Sequence, residues 1–355
     1  MCTAISYKGL AGRTLDLEYS FCEEVAVTPR GFEREYIFEG KIAGKYALVG
    51  MAYLHSGTPL YYDAVSESGL YMAALNFPAY AHYFPRREGA VNLASGELIP
   101  YILGGAGSLR EAREMLSRIN ITPDSVAPEL PATELHWHLT DGRETLAIES
   151  RENGLEIITN PHHVLTNAPN FTYHVTKIAE FLHISPTQPT QIGKNIHLYS
   201  RGMGAIGLPG DYSSSSRFVR AAFLVGCVNE FDSISPQTHH RTSKNENIFS
   251  ELSKNIGENR HKTPQKTQNA QKEGNSNLVS AFFHITDSLS VPYGAVLTDE
   301  GRAVYTVYTS CADLSSCEYH FTTYDCRTPR SVALIPDRVF SHEILRFSLL
   351  GDRII

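Results

Sequence analysis

The chain begins MCTAISYKGLAGRTLDLEYS, with a cysteine directly behind the first methionine and an arginine and an aspartate shortly after it. Loss of Met1 gives Cys2 a free α-amino group on the residue that carries its thiol. In unperturbed peptides an α-amino group titrates at about 7.7–8.0 and a thiol at about 8.5, so one residue supplies a nucleophile and a base near neutral pH. Arg13 and Asp16 are the neighbours such a residue needs, since a guanidinium beside a thiol favours the thiolate and a carboxylate beside an amine orients it. Strand alternation through GRTLDLEYS puts Arg13, Leu15 and Leu17 on one face and Thr14, Asp16 and Glu18 on the other, unless a bulge re-aims one of them. Taken as ordinary strand charges, Arg13 and Asp16 are a surface pair of little energetic value.

The elements that must position these groups read mostly as strands. KYALVGMAYL (45–54), GLYMAALNF (69–77), ELHWHLTD (134–141), ETLAIES (144–150) and AVYTVYTS (303–310) carry the alternating or β-branched and aromatic pattern. Four segments read as helices: 108–119, 170–182, 213–225 and 277–289. The first has Ser108 as a cap, Glu111 completing a capping box, and Leu109, Ala112, Met115, Leu116 and Ile119 as its apolar stripe. Strand runs at both ends with helices between them suggest sheets covered by helices, not a regular βαβ alternation. Residues 235–277 are polar, poor in aromatics and locally basic, and read as a disordered surface insertion with a fleeting helix at 246–256.

With 355 residues, 42% hydrophobic and 19% charged, the chain can bury a large core, and residues 2–355 are expected to form a single domain around that insertion. A formal net charge of −7 leaves no global basic field for nucleic acid. No apolar run is long enough for a membrane span, and the first twenty residues lack an export-signal pattern, so a cytoplasmic location is expected. Cysteines at 2, 22, 227, 311, 317 and 326 form no CxxC pair and read as reduced thiols. His136 and His138 share a strand face at metal-like spacing but show no acidic or cysteine partner nearby in sequence, so strand packing around Trp137 is the better reading. The His pairs at 162–163 and 239–240 read as loops, and the sequons at Asn120 and Asn170 have no meaning for a cytoplasmic protein.

MCTAI, GRTLDLEYS, VTPRG, GLYMAALNFPAYAHY, VLTNAPNFTYH, GLPGDYSSSSRFVRAAF, and YTSC with TTYD occur in the order and rough spacing of the choloylglycine hydrolase family, which comprises the bile salt hydrolases and penicillin V acylases. The resemblance covers nearly the whole chain outside 235–277. It implies the N-terminal nucleophile (Ntn) hydrolase fold, an α+β four-layer αββα sandwich of two antiparallel sheets. It also implies that Cys2 is the nucleophile, Arg13 the arginine near its sulfur and Asp16 the aspartate that engages the freed amine. Asn76 and Asn167 match the two asparagines of the oxyanion hole, one acting through its backbone N–H and one through its side-chain amide, and Arg217 matches the late active-site arginine. Without the resemblance, Asn76 and Asn167 are turn residues and Arg217 is a helix-surface arginine.

The implied substrates are glycine- or taurine-conjugated bile acids, with neither cofactor nor metal and with a homotetramer as the common assembly. Leu15 and the loops near 19–25, 53–62 and 126–133 become candidate walls for the acyl group. Penicillin V acylase is the alternative within the family, although such acylases often carry Tyr where this chain has Asn76. A non-catalytic interaction protein on the same scaffold is the alternative from another class. Two departures from the family stand out: GRT in place of the commoner GRN, and a short connection between Cys2 and Arg13, which is expected to alter the pocket mouth.

Overall fold

The computed structural model describes residues 1–126, 132–189, 199–234 and 278–349. The insertion expected at 235–277, with its helix at 246–256, lies outside the described residues, as does 127–131 of one expected cavity wall.

In chain order the strands begin with β1 (Cys2–Tyr7), β2 (Leu10–Leu17), β3 (Glu24–Thr28), β4 (Glu33–Tyr36), β5 (Gly40–Ala43) and β6 (Leu48–His55). Next come β7 (Thr58–Ser66), β8 (Tyr71–Asn76), β9 (Val91–Ala94), β10 (Ile119–Thr122), β11 (Leu135–Thr140), β12 (Thr145–Arg151) and β13 (Gly154–Thr159). The last are β14 (Val164–Leu165), β15 (Val296–Leu297), β16 (Ala303–Asp313), β17 (Glu318–Thr323), β18 (Arg330–Ala333) and β19 (Leu345–Ser348). One antiparallel sheet has the order β14-β1-β2-β16-β17-β18, with β15 also on β16. The other has the order β13-β12-β11-β8-β7-β6-β3-β19 and is antiparallel throughout.

Helices α1 (Leu98–Gly105) and α2 (Leu109–Leu116) cover the outer face of the second sheet. Helices α3 (Phe171–Ile178), α4 (Ser214–Ile234) and α5 (278–287) cover the outer face of the first, and a short α6 (Pro336–Val339) lies against β3. The four-layer αββα sandwich is therefore present.

Alternation along the strands explains the layers. In β11, Trp137 and Leu139 face outward and pack with Leu146 and Ile148 against Leu98, Ile102 and Leu116, each large buried side chain contributing about 1.5–3 kcal/mol. In β8, Tyr71, Ala73 and Leu75 face inward, toward Leu15, Tyr308 and Tyr319 of the other sheet. The outer face of β1 carries Ile5 and Tyr7 into a helical layer with Phe218 and Phe282, and Tyr7 stacks on Phe282.

Capping sets the helix starts. Ser108 accepts from the Glu111 N–H, while the Glu111 carboxylate reaches back to the Gly107 N–H instead of to Ser108. Asn170 caps α3 by accepting from the Tyr173 N–H. Helix α1 was not anticipated, because LIPYILGG carries a proline and two glycines. Pro100 lies in its first turn, where no intrahelical N–H is needed. No helix among the described residues is long and apolar enough to cross a membrane.

Candidate active site

Tyr7 pairs with Leu10, so β1 and β2 are joined by Lys8 and Gly9 alone, both with positive φ (50° and 77°). Such a two-residue turn matches strand twist and locks the register. Cys2 then lies opposite Leu15 and Ala4 opposite Arg13, and this face of the hairpin looks into the space between the sheets, where Ser6 meets Thr145 of the facing sheet. The short connection is this turn. It sits at the far end of the hairpin from Cys2 and outside the cavity, so the expected change at the pocket mouth does not come from it.

Arg13 is fully buried and plugs a split in the facing sheet. Strands β7 and β8 pair only as far as Asp63 and Ala73, and a bulge in β7 leaves Tyr62 without a partner on β6. The Arg13 Nη1 fills the gap, donating to Tyr62 O at 3.1 Å and to Ala74 O, while Nε donates to Thr14 O at 3.2 Å. Burial works against the charge, but Cys2, Tyr308, Asp63 and Tyr71 around it outweigh that effect and raise its pKa. Arg13 is thus a cation held by carbonyls, with the thiol among its electrostatic partners.

The amino end of Cys2 faces a second set of groups. Its N–H donates to Asn167 Oδ1 at 2.6 Å. Arg217, also fully buried, donates to the same Oδ1 at 2.9 Å, and its other terminal nitrogen binds Cys2 O and Thr3 Oγ1. Burial lowers the Arg217 pKa, opposed by Asp16 and Cys2. With Oδ1 taken by two donors, the amide end of Asn167 must turn the other way, and Nδ2 donates to Asn76 O at 2.8 Å. Phe77 N–H donates to Glu134 O, so the neighbouring Asn76–Leu135 pair is a non-bonded one. Asn76 therefore turns its own N–H and C=O toward the split that Arg13 fills.

Asp16 lies on the opposite face of β2 from Arg13. Its carboxylate accepts from Thr306 Oγ1 at 2.6 Å and Thr14 Oγ1 at 3.2 Å. With Met1 in place, the terminal amine rests on the Asp16 backbone carbonyl and Asp16 N–H donates to Met1 O at 2.8 Å. Met1 thus extends the hairpin by one pair and occupies the ground an exposed Cys2 amine would reach. A second bulge, between Thr306 and Tyr308 of β16, sits opposite Asp16 and Leu15 and carries the Thr306 hydroxyl to the Asp16 carboxylate.

A cavity of about 360 Å3 opens over this group. Cys2, Arg13, Leu15 and Asn76 line it, and its apolar walls include Phe21, Tyr53, Leu60 and Val126 from the segments expected to form them, together with Leu17 at the end of β2, which was not expected. Asp16, Asn167 and Arg217 stand behind it. All six candidate catalytic residues thus meet around Cys2.

Sequence reasoning missed three supporting groups. His174 Nε2 and Ser214 Oγ both donate to Asn167 O at 2.8 Å. Asp63, buried between the sheets, collects four hydroxyls; a lone acid inside the apolar run YYDAV was its only signal. His136 does have an acidic partner, contrary to expectation: Glu149, directly across β12, lies 3.4 Å from its Nδ1, and the histidine ring stacks on Phe77. Both His136 and His138 are fully buried, and no cluster of three or more His, Cys, Asp or Glu suited to a metal occurs among the described residues.

Known proteins resemble the chain over nearly its whole length. The chain is 35% identical to a bile salt hydrolase/transferase of Lactiplantibacillus plantarum over 99% of its own length and 98% of that protein's. A mutant of the conjugated bile acid hydrolase of Clostridium perfringens superposes with a TM-score of 0.81 at 26% identity, over 98% of this chain and 97% of that one. Penicillin V acylase from Agrobacterium tumefaciens shares the fold, with a TM-score of 0.68 at 18% identity over 100% of this chain and 93% of its own. The family model for linear amide C–N hydrolases matches residues 2–263 and 263–345, and with Cys2 at the head of that match the chain belongs to the choloylglycine hydrolase family.

Proposed function

We propose that the protein hydrolyses the amide joining a bile acid to glycine or taurine, with Cys2 as nucleophile once Met1 is removed. The observation that carries this reading is the placement of Cys2 and Arg13 on the floor of a cavity whose 360 Å3 lies in the range of small-molecule sites and whose walls are largely apolar and aromatic, suited to a steroid acyl group.

In the proposed cycle the thiol proton passes to the α-amine and the sulfur attacks the substrate carbonyl. The Asn76 N–H and Asn167 Nδ2 lie on the side where the oxyanion would form, and each such donor is worth about 3–4 kcal/mol. Collapse of the adduct breaks the C–N bond, and the leaving amine takes the proton held by the α-amine. Water, deprotonated by the same amine, then attacks the thioester and returns the thiol. Asp16, Asn167 and Arg217 hold the amine in place. A cytoplasmic location and a homotetramer complete the reading.

Protein freed of Met1 is expected to release glycine or taurine from glycocholate or taurocholate, and Cys2→Ala to release neither. Faster turnover of penicillin V than of both conjugates overturns the substrate assignment. No release from any of the three, by protein shown by intact mass to lack Met1, favours a non-catalytic role. Light scattering tests the tetramer and cell fractionation the location.

A further inference from the structure

Arg13 is a buried cation with no carboxylate within ion-pair distance among the described residues, and its Nη2 has no hydrogen-bond partner there. Asp63 follows the bulged Tyr62 on β7 of the facing sheet and is fully buried as well. Tyr308 OH donates to its Oδ1 at 2.6 Å, while Ser310 Oγ, Tyr319 OH and Tyr71 OH donate to its Oδ2 at 2.8, 2.8 and 3.0 Å. These hydroxyls come from β8, β16 and β17. Four donors on two oxygens are what an ionised, acceptor-only carboxylate takes up. Ser310 also ties the pair together, because its Oγ accepts from the Arg13 backbone N–H at 3.1 Å. Burial pushes the Asp63 carboxyl up from the ordinary carboxylate range, and Arg13 with the hydroxyls opposes that push.

Resting on Cys2 being the nucleophile, we propose that Asp63, ionised inside this hydroxyl cage, is the standing counter-charge of Arg13 and limits how strongly Arg13 draws the Cys2 thiol toward thiolate. The groups facing Asp63 are Arg13 from β2, Tyr71 from β8, Tyr308 and Ser310 from β16 and Tyr319 from β17, so among the described residues Arg13 is the cation shared between Asp63 on one side and Cys2 on the other. Neutralising Asp63 leaves the field of Arg13 on the sulfur uncompensated. Asp63 is thus a positioning residue that acts through Arg13 and touches no substrate.

The test is the rate of Cys2 alkylation by iodoacetamide at pH 6 and pH 8, followed on the N-terminal peptide of Met1-free protein. Asp63→Asn is expected to raise the pH 6 to pH 8 rate ratio about fivefold, the size of effect that removal of one nearby buried charge produces. Ser310→Ala leaves two hydroxyls, Tyr71 and Tyr319, on Oδ2 and the Tyr308 donor on Oδ1, and is expected to move the ratio by less than Tyr308→Phe does while lowering stability. A folded Asp63→Asn protein with the wild-type ratio overturns the proposal and leaves the cage as a staple between the sheets. Should Asp63→Asn not fold, Tyr308→Phe decides: loss of the Oδ1 donor favours the neutral acid, raising the ratio about twofold, and an unchanged ratio overturns the proposal. Alkylation needs no amide substrate, so the result is independent of the substrate assignment. A wild-type Cys2 that resists alkylation at both pH values overturns the nucleophile reading instead.

Discussion

Asn167 is the residue on which the site turns, because its side-chain amide and carbonyl face different halves of it. Oδ1 holds Cys2 N and Arg217, Nδ2 holds Asn76 O, and the backbone carbonyl is clamped by His174 and Ser214. Asn167→Asp is nearly isosteric and keeps an oxygen toward Cys2 and Arg217, but it replaces the one donor with a second acceptor. Its kcat is expected to fall about 10²–10³-fold with little change in KM, the cost of one lost oxyanion donor, while Cys2 alkylation shows that the site is still assembled. Wild-type kcat in this variant would remove Asn167 from the oxyanion hole. At this scale, Cys2, Arg13 and Asp16 were legible because an N-terminal thiol with an arginine and an acid nearby has its own chemical logic. Asn76, Asn167 and Arg217 were visible only through resemblance, since a turn asparagine and a helix arginine look ordinary until the fold brings them together.

At the scale of elements, the β1–β2 hairpin does most of the positioning, and its sheet contact depends on a missing side chain. A Cβ on Gly12 would lie 2.0 Å from Ser310 O and 2.9 Å from Cys311 Cα, both on the backbone of β16. Neither can move without parting β2 from β16, and Arg13, the next residue, would leave the split it fills. Gly12→Ala is expected to cost about 1–3 kcal/mol in urea unfolding and to slow Cys2 alkylation. The same substitution at Gly9, with a φ of 77° and open space around it, is expected to lower stability through turn strain while leaving alkylation unchanged. Equal losses of reactivity in the two variants would show that the close contact is not what matters. Strands β2, β6, β8, β11, β12 and β16 and four of the helices were readable from periodicity and caps. The bulges at Tyr62 and Val307 were not, because a bulge is a mismatch between two strands and leaves no mark in either one alone. They are what free the Tyr62 carbonyl for Arg13 and carry Thr306 to Asp16.

Across the whole molecule, the space between the two sheets is unusually polar, and that makes stability depend on pH. The inner faces carry the Asp63 cage, the His136–Glu149 pair, and His138, whose two ring nitrogens are buried without a hydrogen-bond partner among the described residues. Burial, with His163 and His136 adding to it, lowers the His138 pKa to about 3. An unfolded histidine titrates near 6.5. Between those values the unfolded chain binds a proton that the folded chain refuses, so the contribution of neutral His138 is full above about pH 6.5 and is lost progressively as the pH falls toward 3. His162, His163 and His174 are also lowered by burial and act in the same direction, whereas Asp63 and Glu97, raised by burial, act in the opposite one. His138→Leu isolates one member of that sum, since leucine fills much of the same space and leaves no nitrogen unpaired. Urea unfolding at pH 7.5 and pH 5.0 is expected to show a wild-type loss on acidification that exceeds the variant's by about 2 kcal/mol. At pH 7.5 the variant is expected to be no less stable than the wild type, because no hydrogen bond is given up. The same loss in both proteins would mean that His138 takes up its proton in the folded state, and that the space between the sheets admits enough water to solvate it.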